Sequence, residues 1–400
     1  MKNNFILVLN CGSSSLKFSL INPENGETLL SGLAERLLSE QAIIKIKHNG
    51  KKEQQSISSP FDHQAAIQCL VTHLSEHQLI ACISAIGHRV VHGGETYYQP
   101  TLINTDVKAT IEKLARLAPL HNPANLTGIS AAEAAFPTLP QVAIFDTAFH
   151  QAMPEKAFIY GIPYKLYKEH GIRRYGFHGT SHYFVAQQAA KMLHKPLEQC
   201  SFISAHLGNG CSVAAIKDGK SVDTSLGMTP LEGVMMGTRS GDVDPGIIFH
   251  LVNQLNYTVE EVDTMLNKQS GLLGVSQLSN DCRTIETAYL EDNNPQAALA
   301  LDVFCYRIAK SIASFTASLT QLDGIIFTGG IGENSDIIRE KILSQLILLN
   351  FKIDVDANIT NRFGKSGRIT LEGSRAALVI ATNEEWVIAE QTFELLNQEP

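Results

Sequence analysis

Apolar positions along the chain fall into two rhythms. Short, nearly continuous runs lie at 5–9, 85–91, 141–145, 202–205, 213–216, 325–327 and 376–381. Each is bounded by Gly, Asn, Asp or other turn formers, and such runs read as buried strands. Residues 16–21 read as a further strand. Elsewhere apolar residues recur every three or four positions, which predicts helices over 62–77, 105–117, 123–135, 181–193, 258–268, 295–322, 336–349 and 383–397. The helix at 181–193 follows Gly179, with Thr180 or Ser181 as its N-cap. Residues 27–61 carry no assigned element. Strands alternating with helices predict an α/β protein.

One arrangement occurs twice. The strand 5–9 runs into Asn10-Cys11-Gly12-Ser13-Ser14-Ser15, resumes at 16–21 and turns at 22–26. The strand 202–205 runs into His206-Leu207-Gly208-Asn209-Gly210-Cys211-Ser212, resumes at 213–216 and turns at Lys217-Asp218-Gly219-Lys220. Two such hairpins are read either as copies of one domain or as a chance likeness between hairpins.

Composition narrows the function. A length of 400 residues predicts two or three domains at roughly 150 residues each. Lys+Arg total 32 against Asp+Glu 40, a net charge of −8, which argues against a nucleic-acid binder that works by bulk charge. The seven cysteines, at 11, 69, 82, 200, 211, 282 and 305, form no CxxC, so a reducing compartment fits better than a disulfide framework or a zinc ribbon. No apolar run approaches the ~18 residues of a membrane span. The opening MKNNFILVLNC imitates a lipoprotein signal, but its apolar core is too short, and it is read as a first strand of a cytoplasmic protein.

The familiar nucleotide fingerprints fail. Gly219-Lys220-Ser221 and Gly364-Lys365-Ser366 lack the first glycine of a P-loop, and Gly330-Ile331-Gly332-Glu333-Asn334-Ser335 does not complete GxGxxG. What remains is three Gly-rich turns at strand ends: the two hairpins, and Thr328-Gly329-Gly330-Ile331-Gly332-Glu333-Asn334, which runs from strand into helix. Any one of them is an ordinary tight turn or a phosphate cradle; three together favour a nucleotide site. Arg89 ends an apolar strand before Val90-Val91-His92-Gly93-Gly94, and Arg239 lies in the Gly-flanked loop Met236–Asp242. Such arginines are either surface ion pairs or carboxylate and phosphate forks. Asp146 directly follows the strand 141–145, where it is either an N-cap or a group facing a ligand crevice. Glu384 and Glu385 read as first-turn helix carboxylates. Among the histidines, His178, bracketed by Gly176 and Gly179, is the best functional candidate. His73 and His77, four apart, read as one solvated helix face, and no zinc pattern such as HExxH is met.

These segments closely resemble the acetate kinase family, within the acetate and sugar kinase/actin-like superfamily. The matching stretches include LNCGSSSLKFSL, GHRVVHGGE, APLHNP, FDTAFH, RRYGFHGTSH, AHLGNGCS, MGTRSGDVDP, SNDCR, FTGGIGEN and TNEEWVIA, in family order over essentially the whole chain. The resemblance implies duplicated actin-like (ribonuclease H-like) α/β domains with a central interdomain cleft. One would span 1–148 plus 384–400 and the other 149–383. It implies ATP/ADP and acetate/acetyl phosphate as substrates, Mg²⁺ as cofactor with Mn²⁺ as substitute, and a homodimer, with no membrane or nucleic-acid partner.

Residue by residue, the resemblance implies that Asn10 and Glu384 place the metal, and that Lys17 approaches the transferring phosphate. Arg89 and Arg239 flank the acyl-phosphate group, Asp146 sits beside the reacting centre, His178 donates to the transition state and His121 lies near it. Val91, Leu120, Phe177 and Pro230 form the pocket for the acyl methyl. His206, Leu207, Gly208, Asn209 and Gly210 hold phosphates. Asp281, Cys282 and Arg283, with Gly330, Ile331, Gly332, Glu333 and Asn334, surround the adenosine. Propionate or butyrate is the alternative acceptor within the family; an actin- or chaperone-like ATPase switch is the alternative of another class.

Overall fold

The computed structural model describes residues 4–119 and 121–397. The chain forms two compact units, Met1–Ala148 with Asn383–Pro400, and Phe149–Thr382. The first unit contains one mixed sheet built from β1 (Phe5–Gly12), β2 (Ser15–Ile21), β3 (Thr28–Glu35), β4 (Ile43–His48), β5 (Lys51–Ser56), β6 (Ile83–Val90), β7 (Thr101–Leu102) and β8 (Gln141–Phe145), in the order β5-β4-β3-β2-β1-β6-β8-β7. Strands β5 to β1 form antiparallel pairs; β1, β6 and β8 run parallel. Because side chains alternate across a strand, the apolar run of β1 feeds two cores. Leu7 and Leu9 pack with Leu70, Leu74 and Ala132 of the helices His63–Glu76 and Asn122–Ala135. Ile6 and Val8 pack with Ile388 and Ala389 of the helix Glu384–Asn397.

The second unit contains β9 (Ser201–Leu207), β10 (Cys211–Lys217), β11 (Lys220–Thr224), β12 (Gly324–Thr328), β13 (Gly367–Arg368) and β14 (Ala376–Val379), ordered β11-β10-β9-β12-β14-β13. Again an antiparallel meander is followed by two parallel strands. The run β3-β2-β1-β6-β8 and the run β11-β10-β9-β12-β14 share order and direction, so the two hairpins seen in sequence are the first two strands of one repeated sheet. The fold is α/β and duplicated.

Several elements differ from expectation. Three strands, β3 to β5, occupy the stretch left blank. The edge strand β5, KKEQQS, is exposed at every position, so no apolar alternation marks it. The expected helices 295–322 and 336–349 end as α-helix at Phe315 and Ser344, and the helix over 105–117 ends at Lys113. The helix expected from 181 begins at Gly179, with His178 as its N-cap position in the left-handed region at φ 57°. Thr180 and Ser181 are therefore inside the helix and buried, not capping it.

Candidate active site

In the first unit the C-terminal ends of three parallel strands carry polar groups. Leu9 of β1 is in register with His88 of β6, and Arg89 with Ile144 of β8. Asn10, Arg89 and Asp146 thus follow one another across the sheet at the end where open α/β sheets receive ligands. Asp146 is buried at 1% exposure, and its backbone N–H donates to Val90 O at 3.0 Å. The Arg89 fork grips its carboxylate, with Nε to Oδ1 at 2.9 Å and Nη2 to Oδ2 at 2.6 Å. Burial alone would depress the guanidinium pKa, but Asp146 and Glu384 outweigh it, so Arg89 is held firmly charged. Nη1 has no protein partner among the described residues.

Glu384 and Glu385 open the helix Glu384–Asn397. Burial pushes the Glu384 carboxyl up to about 6, against the pull of Arg89 and with the push of Asp146 and Glu385. Lys17, opposite Asn10 in the first hairpin, pairs with Glu385. The loop after β6 is held by two buried asparagines that the sequence did not single out. Asn125 Oδ1 accepts from Val91 N–H at 3.0 Å while its amide donates to Cys11 O at 2.8 Å. Asn122 Oδ1 accepts from His92 N–H at 3.2 Å, and its amide donates back to His92 O at 3.1 Å. His121 is the N-cap position of the helix that carries both asparagines. Leu120 lies outside the described residues.

The second unit repeats the plan with other chemistry. His206 on β9 is in register with Thr328, the last residue of β12. The loop after β9 is closed by Gly208 N–H to Gly210 O at 3.0 Å and by Cys211 Sγ against Gly208 O. Gly329 stands at φ +76°, and a Cβ there would lie 2.7 Å from Leu207 O, so only glycine lets β12 turn against this loop. The result brings Gly208 beside Gly330 N.

Histidines and serines interlock around that loop. His178 Nδ1 meets Ser212 Oγ at 2.9 Å, and Ser212 Oγ meets His182 Nε2 at 2.7 Å. His182 Nδ1 meets Ser204 Oγ at 3.0 Å, and His206 Nδ1 meets Ser181 Oγ at 2.8 Å. His150 Nε2 donates to Phe177 O at 2.9 Å, because a carbonyl can only accept, and its Nδ1 accepts from Ser221. Burial holds His150 near pKa 4 and His182 well below the ordinary range, so both are neutral. His150, Ser204 and Ser212 were not singled out from the sequence, and His182 was weighed only as a metal partner of His178; the stretches FDTAFH, RRYGFHGTSH and AHLGNGCS contain His150, His182 and Ser212 without showing their partners.

Arg239 sits differently from Arg89. Its Nη1 donates to Pro230 O at 3.2 Å, and among the described residues no carboxylate pairs with it. Burial lowers its pKa, with Cys211 pulling the other way. Its loop is pinned by Gly237 N–H to Asn209 O at 3.0 Å and Leu273 N–H to Gly237 O at 2.9 Å. A Cβ on Gly210 would lie 3.4 Å from Arg239 Nη1 and 3.5 Å from His178 Nε2, so the cation, the histidine and the glycine turn share one small space.

The remaining candidates are more committed to the fold than their motifs suggested. Asp281 caps the helix Cys282–Leu290 and forks with Arg283, with Nη2 to Oδ2 at 2.8 Å. Cys282 is buried, which raises its thiol pKa. Glu333 Oε1 accepts from the backbone N–H of Gly329 and Thr382, both at 3.0 Å. Asn334 Nδ2 donates to Gly330 O at 2.9 Å. Phe177 is buried, and Ile331 and Gly332 lie in the short helix Gly329–Asn334.

Comparisons with known proteins give the family of the chain. The acetokinase family model matches residues 5–390. An acetate kinase of Shewanella sp. (strain MR-4) is 58% identical over 400 residues, covering 100% of both chains. Among solved structures, acetate kinase of Porphyromonas gingivalis superposes with TM-score 0.93 at 41% identity over 98% of this chain and 100% of its own. A propionate kinase from Francisella tularensis superposes at 0.92, with 45% identity over 97% of this chain and 98% of that one. These are kinases of the actin-like ATPase fold, and the chain belongs to the acetokinase family.

Proposed function

We propose that this chain transfers the γ-phosphoryl group of ATP to acetate, giving acetyl phosphate and ADP by a reversible, direct in-line displacement. The observation that carries the reading is Arg239: a partly buried guanidinium with no acidic partner among the described residues, beside His178 and a glycine turn. A buried cation lacking a counter-ion is costly unless an anion completes it. The acetate kinases among the relatives support acetate as the acceptor.

An acetate oxygen attacks the γ-phosphorus as the bond to the β,γ-bridging oxygen breaks, and ADP leaves. Acetate is already an anion at pH 7, since carboxyl pKa values lie near 4, so no general base is needed. The obstacle is charge. Two like charges 4 Å apart cost about 4 kcal/mol at an effective dielectric near 20. Arg239 offsets that repulsion. Arg89 offers the acetate carboxylate the Nη1 donors that Asp146 leaves open, and Asp146 acts by fixing the fork. Val91, Phe177, Pro230 and Leu120 exclude water from the methyl group.

His178 donates when Ser212 gives its hydroxyl proton to His178 Nδ1, which leaves the ring proton on Nε2, the nitrogen nearest Gly210. His182 then donates Nε2–H to Ser212 and accepts from Ser204 at Nδ1, a chain that works only while His182 is neutral. His121 acts from the N-cap position of the helix Asn122–Ala135. Lys17 and the His206–Gly210 loop take the phosphates. Asp281, Cys282 and Arg283 and the 330–334 turn take the adenosine, with Cys282, Glu333 and Asn334 acting through backbone.

The donor set fits Mg²⁺, with Mn²⁺ as substitute: Asn10 and Glu384 are oxygen ligands, and a carboxyl pushed up to about 6 gains from a neighbouring cation. When bound, the ion neutralises phosphate oxygens. The proposal includes a cytoplasmic homodimer. Free cysteines throughout fit a reducing compartment, and among the described residues no helix is long and apolar enough to cross a membrane.

Hydroxylamine trapping with ATP, Mg²⁺ and matched acetate, propionate and butyrate tests the reading. Acetate should give the most hydroxamate, with propionate second, because one methylene is worth only about 1–3 kcal/mol. Hydroxamate from none of the acids removes the proposal, and butyrate as the best acceptor removes acetate.

A further inference from the structure

A cluster of imidazoles lies in the first unit on elements that carry none of the candidate site residues. Alternation along β4 puts His48 on the face of Ile44 and Ile46, and Glu53 of β5 stands opposite Ile46. The helix His63–Glu76 buries Ala66, Ile67, Leu70 and Leu74, and His73, three residues after Leu70, continues that stripe. His77 follows one turn later, at the C-cap. His73 is therefore buried at 6% exposure, and the solvated face expected for the pair holds only for His77.

Ring centroids lie 4.2 Å apart for His73–His77, 4.9 Å for His48–His77 and 5.7 Å for His48–His73. One ligand nitrogen from each lies within 4.8 Å of the other two. His77 Nδ1 donates to His73 O at 2.9 Å, so its lone pair is on Nε2. His73 Nε2 is buried and has no hydrogen-bond partner, an unusual state for an imidazole nitrogen. Glu53 Oε2 stands 3.7 Å from His73 Nδ1, where carboxylates orient metal-bound histidines.

We propose that His48, His73 and His77 bind a divalent transition-metal ion of the zinc class. Zinc–nitrogen bonds of about 2.0–2.1 Å place tetrahedral ligand nitrogens about 3.4 Å apart, so the cluster must close by roughly 1.4 Å. Rotation of the exposed His77 ring and the adjacent hairpin end can supply that. Three imidazoles select zinc, copper or nickel over Mg²⁺, so the site is chemically distinct from the kinase metal. Bound metal would tie the end of this helix to the β4–β5 hairpin.

The test is Zn²⁺ titration of the full-length protein against a chromophoric chelator, with saturating Mg²⁺ and ADP present. The parent should bind one equivalent at this site. His77→Ala and His48→Gln should each weaken it about 10–100-fold or more, while His170→Ala, a change at an exposed histidine elsewhere, should not. Zn²⁺ should also raise the melting temperature of the parent and not of His77→Ala. Unchanged zinc affinity in both His77→Ala and His48→Gln, or no such equivalent in the parent, overturns the proposal.

Discussion

Arg89 and Arg239 share a side chain and differ in electrostatic state. Asp146 neutralises Arg89, whereas Arg239 has no acidic partner among the described residues. Loss of Arg239 should therefore strike the transition state. Arg239→Ala is expected to lower kcat about 10³-fold with a smaller change in ATP KM, measured by steady-state kinetics. A fall of less than tenfold would remove its role. Asp146→Asn should lower kcat about 10²-fold by loosening the Arg89 fork, with no recovery between about pH 6 and 9. Recovery at high pH would instead make Asp146 a base. Gly210→Ala should leave melting within about 2 °C, since its Cβ would meet Arg239 and His178 at ordinary contact distance. It should still cost kcat at least about tenfold by filling their shared space.

At the scale of elements, one residue organises a whole corner. Arg339 is fully buried and donates to Gly332 O at 2.9 Å, Glu333 O at 3.0 Å, Asn358 Oδ1 at 2.8 Å and Asn358 O at 2.6 Å. Burial lowers its pKa to about 10, yet it stays charged at pH 7. It satisfies the end of the short helix Gly329–Asn334 that turns against the loop after β9. Arg339→Met should cost about 3 kcal/mol in urea denaturation, because several buried carbonyls lose their donor. A cost below about 1 kcal/mol would show that those groups find other partners. This anchor was not legible in sequence, where Arg339 reads as one more polar residue of a helix. The Gly-rich turn it supports was legible, because glycine and strand-to-helix polarity are local signals.

Across the whole molecule, buried neutral histidines set a dependence on acid. Burial holds His88 near pKa 4 in one unit and His150 near pKa 4 in the other, against an ordinary 6.5. The unfolded chain takes up these protons from about pH 6.5 downward and the folded chain refuses them. Stability is therefore intact above 6.5 and falls as pH drops toward 4, by about 1.4 kcal/mol per proton per pH unit. His88→Gln should flatten the slope of unfolding free energy against pH by about one proton between about pH 6 and 4.5. An unchanged slope in that variant would mean that His88 titrates normally.

Sequence alone determined the α/β class, the likeness of two hairpins, the Gly-rich turns and the order of motifs from which membership was read. Those signals are local: apolar runs, glycine positions and residues a few places apart. Tertiary structure decided the rest. It turned Asp146 into the partner of Arg89, 57 residues earlier, and made Asn122 and Asn125 the braces of the loop after β6. It buried His73, which its pairing with His77 had placed on a solvated face, by setting His48 of β4 and Glu53 of β5 against it. Strand β5 was invisible because an exposed edge needs no apolar alternation. Whether a charge is paired depends on what the fold brings within about 3 Å of it, and neighbours distant in sequence settle that.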